Sequence, residues 1–149
     1  MLQEAASAAR DIDGLMSAMV AYWGGNGEDG VVNLRLLLRG LVIERKAALA
    51  EAGAQVDIEN DLDVPVPAGL KSVLKELLTN ACRFRSDERP LRILVTSRSR
   101  DGVEVEVSDN GSGVDAEYRE KIFAPFFRLH AKGEFSGYGL GLATCRRMV

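Results

Sequence analysis

An α+β fold, with helices on one face of a largely antiparallel sheet, is predicted by three features of the sequence. Apolar residues recur at helical spacing in several segments, apolar and polar residues alternate in shorter ones, and glycine or proline runs separate the two kinds. With 149 residues and 46% hydrophobic composition, the chain is long enough for one domain with a buried core and a short appendage.

The first predicted helix covers residues 2–23, which are rich in alanine and have an apolar stripe. A glycine-rich segment at 24–30 ends it and is expected to form a linker. Asn33 is the expected N-cap of a second helix, whose stripe continues to Leu49, and Gly53 lies where a C-terminal glycine is favoured. This order predicts one separate helix followed by a domain.

The domain begins with a strand around Val56 and Ile58, where apolar and polar residues alternate. An extended or turn segment at 64–67 follows, and then a third helix at 68–84. A hairpin is predicted from strands at 91–95 and 103–107 that flank the Arg100-Asp101-Gly102 turn. The remaining predicted elements are a short helix from Asp115 to Ile122, a mobile loop at 128–138 and a final helix from Gly139.

Composition and charge exclude several classes of function. The net charge of −3 argues against nucleic-acid binding, which needs a clustered basic face. No apolar run reaches the roughly 18 residues of a membrane span, and the N-terminus does not resemble a signal peptide. Cys82 and Cys145 are isolated, which favours a reducing cytoplasm, and a single histidine excludes a multi-histidine metal site.

Glu76 and Asn80 are one helical turn apart, so they are expected on one face of the third helix. A carboxylate and an amide oxygen side by side suit Mg²⁺ that carries nucleotide phosphates. The alternative is an ordinary solvated helix face.

Asp109 begins the Asp109-Asn110-Gly111-Ser112-Gly113 run at the end of a predicted strand. Its carboxylate can accept a hydrogen bond from an exocyclic amine, and Gly111 and Gly113 let the backbone approach a flat ring closely. The alternative is a common Asp-Asn-Gly turn.

A second glycine run, at residues 137–142, opens the last predicted helix, whose free N–H groups and dipole favour an anion. The loop before it contains Arg128, His130 and Lys132, which could fold over a triphosphate. The alternative for these three is a solvated loop. The spacing matches neither the dinucleotide fingerprint nor a Walker motif.

Taken in order, these segments resemble the N box, first G box, F box and second G box of sensor histidine kinase catalytic domains. That family belongs to the gyrase, Hsp90 and MutL superfamily, and the F box here is Phe123-Ala124-Pro125-Phe126-Phe127-Arg128. The resemblance covers residues 31–149, and the segments at 80–85 and 127–130 are similar to bacterial phytochrome kinases. It implies a two-layer Bergerat-type α/β sandwich.

The resemblance also implies ligands and roles. It places Mg²⁺ on Asn80, the adenine amine on Asp109, and the phosphates on the second G box, namely Gly137, Gly139, Leu140 and Gly141. Arg83 stands where the family usually has Lys, which keeps the charge and changes its geometry. Residues 1–23 are similar to the second helix of the family's dimerisation hairpin, so a homodimer and a response regulator receiver domain are the expected partners.

The phosphoacceptor histidine, followed by an acidic residue, is absent from this chain, and we expect the C-terminal end of the fold to be truncated. The leading hypothesis is an ATP-dependent histidine kinase module that phosphorylates a histidine elsewhere. A second hypothesis is ATP hydrolysis with Glu76 as the general base. A third is a pseudokinase or phosphotransfer scaffold without catalysis.

Overall fold

The structure, a computed structural model, describes residues 2–24, 29–60, 62–129 and 137–149. It divides into two compact units. One is Gly27–Val114, and the other combines Met1–Asn26 with Asp115–Val149. No helix of the described residues has the length and apolar composition needed to cross a membrane.

The unit Gly27–Val114 contains five strands and three helices among its described residues. In chain order they are β1 (Val31–Asn33), α2 (Leu34–Glu44), α3 (Lys46–Glu51), β2 (Gln55–Glu59), β3 (Pro65–Pro67), α4 (Leu70–Arg83), β4 (Arg92–Ser99) and β5 (Val103–Asp109). The other unit contains α1 (Leu2–Gly24), two short 3-10 turns (Ala116–Tyr118 and Lys121–Phe123) and α5 (Gly141–Met148).

The strands of the described residues form two sheets. In the larger sheet the order is β2-β4-β5, with β2 parallel to β4 and β4 antiparallel to β5. Val56 is opposite Ile93, and Val95 is opposite Val107. The smaller sheet pairs β1 with β3 in antiparallel fashion. The α+β class and the hairpin are confirmed, whereas strand β1 and the parallel pairing of β2 with β4 were not predicted.

One face of the larger sheet and the apolar sides of α2 and α4 enclose the core of this unit. The buried residues of the cluster are Leu34, Leu38, Leu41, Leu49, Val66, Leu74, Leu78, Ala81, Leu91, Ile93 and Val95. Burial of each large aliphatic side chain is worth about 1.5–3 kcal/mol, so this cluster is the main source of stability. Leu77, also on α4, is only half-buried.

The second predicted helix is correct at both ends and interrupted in the middle. Asn33 is its N-cap, since the side-chain oxygen accepts a hydrogen bond from the Leu36 N–H at 3.1 Å. Gly53 follows the C-terminus with φ +62°, a conformation that glycine adopts without strain. The interruption is at Arg45, where φ −94° and ψ 5° leave the helical region and separate α2 from α3.

The predicted helix from Asp115 to Ile122 is wrong. Two separate 3-10 turns occupy this segment, and Asp115 precedes the first of them without a capping hydrogen bond from its side chain. The predicted loop at 128–138 lies mostly outside the described residues, as does the middle of the linker predicted at 24–30.

Helix α1 is a single helix, as predicted, and its described residues have two different faces. Arg147, near the end of α5, donates a hydrogen bond to the Tyr22 carbonyl at 2.6 Å, and its guanidinium lies 5.6 Å from the Tyr22 ring centroid. Tyr22 therefore belongs to the face against α5. A different set of apolar residues remains exposed, namely Ile12, Met16, Val20 and Trp23.

Candidate functional site

Glu76 and Asn80 lie on α4 four residues apart, which places both side chains on one face of the helix. Leu74 and Leu78 are buried in the core and fix the orientation of α4. The Glu76 and Asn80 side chains are half-buried, and neither makes a hydrogen bond or ion pair within the described part of the chain. A carboxylate and an amide are thus oriented by the helix and available to a ligand.

Arg83 is the last residue of α4 and follows Asn80 by three residues. It therefore lies on the same face of the helix, and Glu76, Asn80 and Arg83 form a polar stripe. Arg83 is half-buried and makes no ion pair among the residues that the structure describes. The stripe therefore ends in a guanidinium, which can bind an anion in bidentate fashion.

The end of α4 is tied directly to the loop that contains the first glycine run. The Phe84 N–H donates to the Asn80 carbonyl at 2.9 Å and closes the helix. The Phe84 carbonyl in turn accepts hydrogen bonds from the Ser112 N–H at 2.9 Å and from the Ser112 hydroxyl at 3.1 Å. The N box and the first G box are therefore joined through one carbonyl group.

Gly111 is required at the point where the loop meets α4. A Cβ atom at this position would lie 2.5 Å from the Phe84 carbonyl oxygen and 2.8 Å from Oδ1 of Asp109. Gly113 is different, because it has φ +73° and open space around it. The sequence predicted that both glycines let the backbone approach a ligand; in the structure, Gly111 lets the loop approach the end of its own helix.

Asp109 is the last residue of β5 and is opposite Ile93 in the sheet. Its Oδ1 atom accepts a hydrogen bond from the Gly111 N–H at 2.8 Å, so the loop holds the carboxylate in one orientation. Oδ2 makes no hydrogen bond within the described ranges, and the residue is exposed. One carboxylate oxygen is therefore structural and the other is free to accept from a ligand.

Asn110 and Arg89 support the loop and were not singled out from the sequence. The Asn110 side chain accepts from the Arg92 N–H at 2.8 Å and donates to the Pro90 carbonyl at 3.0 Å. Arg89 donates to the carbonyls of Asn110 and Gly111 at 2.8 and 3.1 Å. Asn110 could have been suspected from its place in an Asp-Asn-Gly turn, whereas no sequence signal connects Arg89 with residues 21 and 22 positions later.

In the other unit, the second glycine run is fixed to the F box. The Phe126 N–H donates to the Gly139 carbonyl at 2.9 Å. Gly139 has φ +72°, and a Cβ atom there would lie 2.7 Å from the Phe127 carbonyl oxygen. Gly137 also has a positive φ, +136°. Both glycines are thus required by backbone conformation, and Gly139 by space as well.

Leu140 precedes α5 and anchors its beginning, since its side chain is only 2% exposed. The Leu140 carbonyl accepts from the Thr144 N–H and hydroxyl, both at 2.8 Å. No side chain caps the helix, which begins at Gly141, so its first N–H groups are open to an anion. Arg128 is half-buried, and His130 and Lys132 lie outside the described residues.

Cys82 lies on α4 between the polar stripe and the core. Burial raises the pKa of its thiol, and the charges of Arg45 and Arg85 lower that pKa by a smaller amount. The thiol is therefore protonated and unreactive near neutral pH.

Comparisons with known proteins define the class of the fold. Residues 66–149 match the family described as histidine kinase-, DNA gyrase B-, and HSP90-like ATPase. The catalytic domain of the histidine kinase ThkA is 29% identical, with a TM-score of 0.65 over 81% of this chain and 79% of that chain. Full-length ShkA, solved in complex with AMPPNP, is 26% identical, with a TM-score of 0.70 over 98% of this chain and 33% of that chain.

Among curated proteins, cyanobacterial phytochrome A of Nostoc sp. is 38% identical over 104 residues. The match covers 68% of this chain and 13% of that protein, so the chain spans a small part of this relative. The chain belongs to the histidine kinase-, DNA gyrase B-, and HSP90-like ATPase family. The predicted resemblance, including its phytochrome branch, is confirmed.

Gly111→Ala is expected to lower the free energy of unfolding by about 1–3 kcal/mol, because the new Cβ forces the loop away from the Phe84 carbonyl. Gly102→Ala is the matched control, since Gly102 lies in the hairpin turn with nothing within 4 Å of its Cβ position. Chemical denaturation measures both variants. Equal stability of the two variants would show that the loop does not depend on this close approach.

Proposed function

We propose that this chain is the ATP-binding catalytic module of a two-component sensor histidine kinase. In this proposal residues 31–149 form the ATP-binding domain, and the γ-phosphate of ATP is transferred to a histidine outside this chain. The observation that carries the proposal is the Asp109 carboxylate, which has one oxygen fixed by Gly111 and the other available. Membership of the family supports ATP as the ligand.

Asp109 is proposed to recognise the adenine base. Its free oxygen suits the exocyclic amine, and its bond to Gly111 removes the entropy cost of orienting the carboxylate. Gly113 and Gly111 leave the surface of the loop without side chains, so a flat ring can lie close to the backbone.

Asn80 is proposed to bind Mg²⁺, with Glu76 beside it as the catalytic base. Both supply oxygen donors of the kind that Mg²⁺ prefers. Within the described residues no group of three or more His, Cys, Asp or Glu side chains could hold a metal ion by itself. This fits an ion that is held mainly by nucleotide phosphates and water. When bound, Mg²⁺ neutralises charge on the phosphates during transfer.

The phosphates are proposed to bind at Gly137, Gly139, Leu140 and Gly141, where α5 begins. The uncapped N–H groups of α5 and its dipole favour negative charge. Arg83, Arg128, His130 and Lys132 are proposed to contribute cationic donors. The catalytic contribution of these residues would be positioning and charge stabilisation, which is how phosphoryl transfer is mostly catalysed.

No specific observation favours either alternative to a histidine kinase, namely an ATPase or a pseudokinase. An ATPase would use Glu76 to activate water, and nothing in the geometry of α4 distinguishes this from activation of a histidine. A pseudokinase would not need the available oxygens of Asn80 and Asp109. The compared proteins include a named histidine kinase and a phytochrome, which favours transfer to a histidine.

The proposed partners are a response regulator receiver domain and a second copy of this chain. For the second copy, the candidate surface is the exposed apolar stripe of α1. Ile12, Met16, Val20 and Trp23 are 54–68% exposed and follow one another at helical spacing. Leu15 and Met19, apolar residues on the same helix, are half-buried. A cytoplasmic location remains a prediction from cysteine usage.

Met16→Glu is expected to weaken self-association, because it places a charge in the centre of the exposed apolar stripe. Ser17→Glu is the control, since Ser17 is exposed on α1 at a neighbouring position outside the stripe. Light scattering over a concentration series measures the mass of each variant. A monomer for the unmodified chain at high concentration would contradict dimerisation through this helix.

Asp109→Asn is expected to reduce the preference for ATP over GTP. The amide oxygen can still accept from the Gly111 N–H, so the loop is retained, while an NH₂ group replaces the oxygen that would accept from adenine. Loss of a hydrogen bond to a charged group predicts roughly tenfold or larger weakening of ATP binding. Asp101→Asn, in the exposed hairpin turn, is the control.

Titration calorimetry with ATP and GTP in the presence of Mg²⁺ measures this effect. The triphosphate contribution should persist, so GTP affinity should change little. An unchanged preference in Asp109→Asn would remove this residue from base recognition, and no ATP binding by the folded, unmodified chain would reject the proposed function.

The isolated chain is expected to bind ATP and to become phosphorylated negligibly, because it lacks the predicted phosphoacceptor histidine. It should label a histidine on a separately added dimerisation hairpin. Asn80→Ala should abolish that labelling by removing the metal ligand. Glu76→Gln should slow it by about 10²-fold or more while nucleotide binding persists, since only basicity is lost.

Radiolabelled ATP provides the measurement, and Glu88→Gln, an exposed carboxylate outside α4, is the control. Stable phosphate on the chain alone, above all on His130, would contradict the assignment of the acceptor to another segment. Full-rate transfer by Glu76→Gln would contradict the role of Glu76 as base.

A further inference from the structure

Tyr138 stands inside the second glycine run, and its side chain reaches helix α1. Its hydroxyl donates a hydrogen bond to the Asp11 carbonyl at 2.8 Å. A Cβ atom at Gly14 would lie 2.3 Å from the Tyr138 hydroxyl oxygen and 3.1 Å from Cζ. The hydroxyl end of the Tyr138 side chain therefore lies in a notch of α1 at Gly14, and a methyl group at this position would displace it. We call this contact of Tyr138 with Asp11 and Gly14 the Tyr138 latch.

The residues on both sides of Tyr138 are glycines with positive φ, +136° at Gly137 and +72° at Gly139. Glycine has the largest backbone freedom of any residue, so a run of this kind needs anchors to keep one conformation. Phe126 holds the Gly139 carbonyl from one side. The Tyr138 latch is the second anchor, and it is the one that connects the run to α1.

Helix α1 is attached to the C-terminal segment at a second point, near the end of α5. Arg147 donates to the Tyr22 carbonyl, eleven residues after Asp11, which is about 16 Å along a helix. Helix α1 thus contacts both the run before α5 and the last turn of α5. Two backbone carbonyls of α1 thus hold the segment whose N–H groups are proposed to bind phosphates.

We infer that Tyr138 is a positioning residue that couples α1 to nucleotide binding through the Gly14 notch. With the latch closed, the glycine run is held in the conformation that precedes α5, and ATP binds more tightly. By thermodynamic reciprocity, bound ATP strengthens the latch and protects the backbone of α1 around residues 11–18. This inference rests on the proposed binding of phosphates at the second glycine run.

Gly14→Ala tests the latch, because it fills the notch with one methyl group. Alanine ordinarily stabilises a helix relative to glycine, so a loss here has to come from the contact with Tyr138. Gly40→Ala is the matched control, since Gly40 lies within α2 and its Cβ position has nothing within 4 Å. Tyr138→Phe keeps the ring and removes the same hydrogen bond, so it should weaken ATP binding by a similar amount.

Two measurements are made on each variant. Hydrogen exchange without nucleotide should show reduced protection of residues 11–18 in Gly14→Ala and not in Gly40→Ala. Titration calorimetry should show ATP affinity weakened about three- to tenfold, the range expected when one ordinary hydrogen bond is lost. In a Tyr138→Ala background, Gly14→Ala should have no further effect on ATP affinity, because the atoms it displaces are gone.

The outcomes separate this inference from the proposed function. Unchanged exchange at residues 11–18 in Gly14→Ala would reject the latch, whatever the nucleotide result. Reduced protection with unchanged or tighter ATP binding would reject the coupling while the proposed function stands. Equal effects of Gly14→Ala with and without the Tyr138 side chain would also reject it. If the unmodified chain binds no ATP, the proposed function fails, and the coupling fails with it.

Discussion

The end of α4 and the first glycine run are held together at the carbonyl group of Phe84, and this part of the candidate site depends on that contact. This carbonyl group lies where α4 ends, and it accepts two hydrogen bonds from Ser112. A carbonyl at a helix end has lost its partner within the helix, so these bonds satisfy a group that would otherwise need water. The same bonds bring the loop so close that only glycine fits at position 111.

From this contact the positions of several functional groups follow. Because the loop is held at Phe84, the Gly111 N–H is placed to bind the Asp109 carboxylate. Because α4 is packed on the sheet through Leu74 and Leu78, the opposite face that carries Asn80 is fixed as well. The residues proposed to recognise base and metal are thus oriented by one helix, its last carbonyl and the loop bound to it. The hydrogen bond from the Gly111 N–H restricts rotation of the Asp109 side chain, which lowers the entropy cost of binding at that residue.

The sequence predicted those parts of the fold that local patterns specify. The N-cap at Asn33 and the C-terminal glycine at Gly53 are set by neighbouring residues, and both predictions are correct. The pairing of β2 with β4 could not be predicted, because parallel strands are joined by a long crossover and no local signal marks the partner. The helix expected after Asp115 failed because its few apolar residues do not outweigh the tendency of such short segments to form 3-10 turns.

For the candidate site, the sequence predicted which residue types are present. It did not predict the steric and hydrogen-bonding contacts that they make in the fold. Asp109 and the glycines could be identified because their motif has a known spacing. That Gly111 is needed against Phe84, and Gly139 against Phe127, depends on contacts between segments far apart in sequence. Arg89 was missed for the same reason, since its guanidinium binds two backbone carbonyls that only the folded loop presents. The roles proposed for the site residues remain predictions until ligand binding is measured.

Helix α1 has one face that contacts Tyr138 and Arg147 and an opposite face that is exposed. Gly14 and Tyr22 are eight residues apart and contact Tyr138 and Arg147. Ile12, Met16 and Val20 are offset from them by two positions, which is about 200° around the helix at 3.6 residues per turn. Because both faces belong to one rigid element, a rotation of α1 that rearranges the exposed stripe also moves the Gly14 notch. In the coupling proposed for the Tyr138 latch, a partner that binds the stripe would act on the glycine run before α5 without touching it.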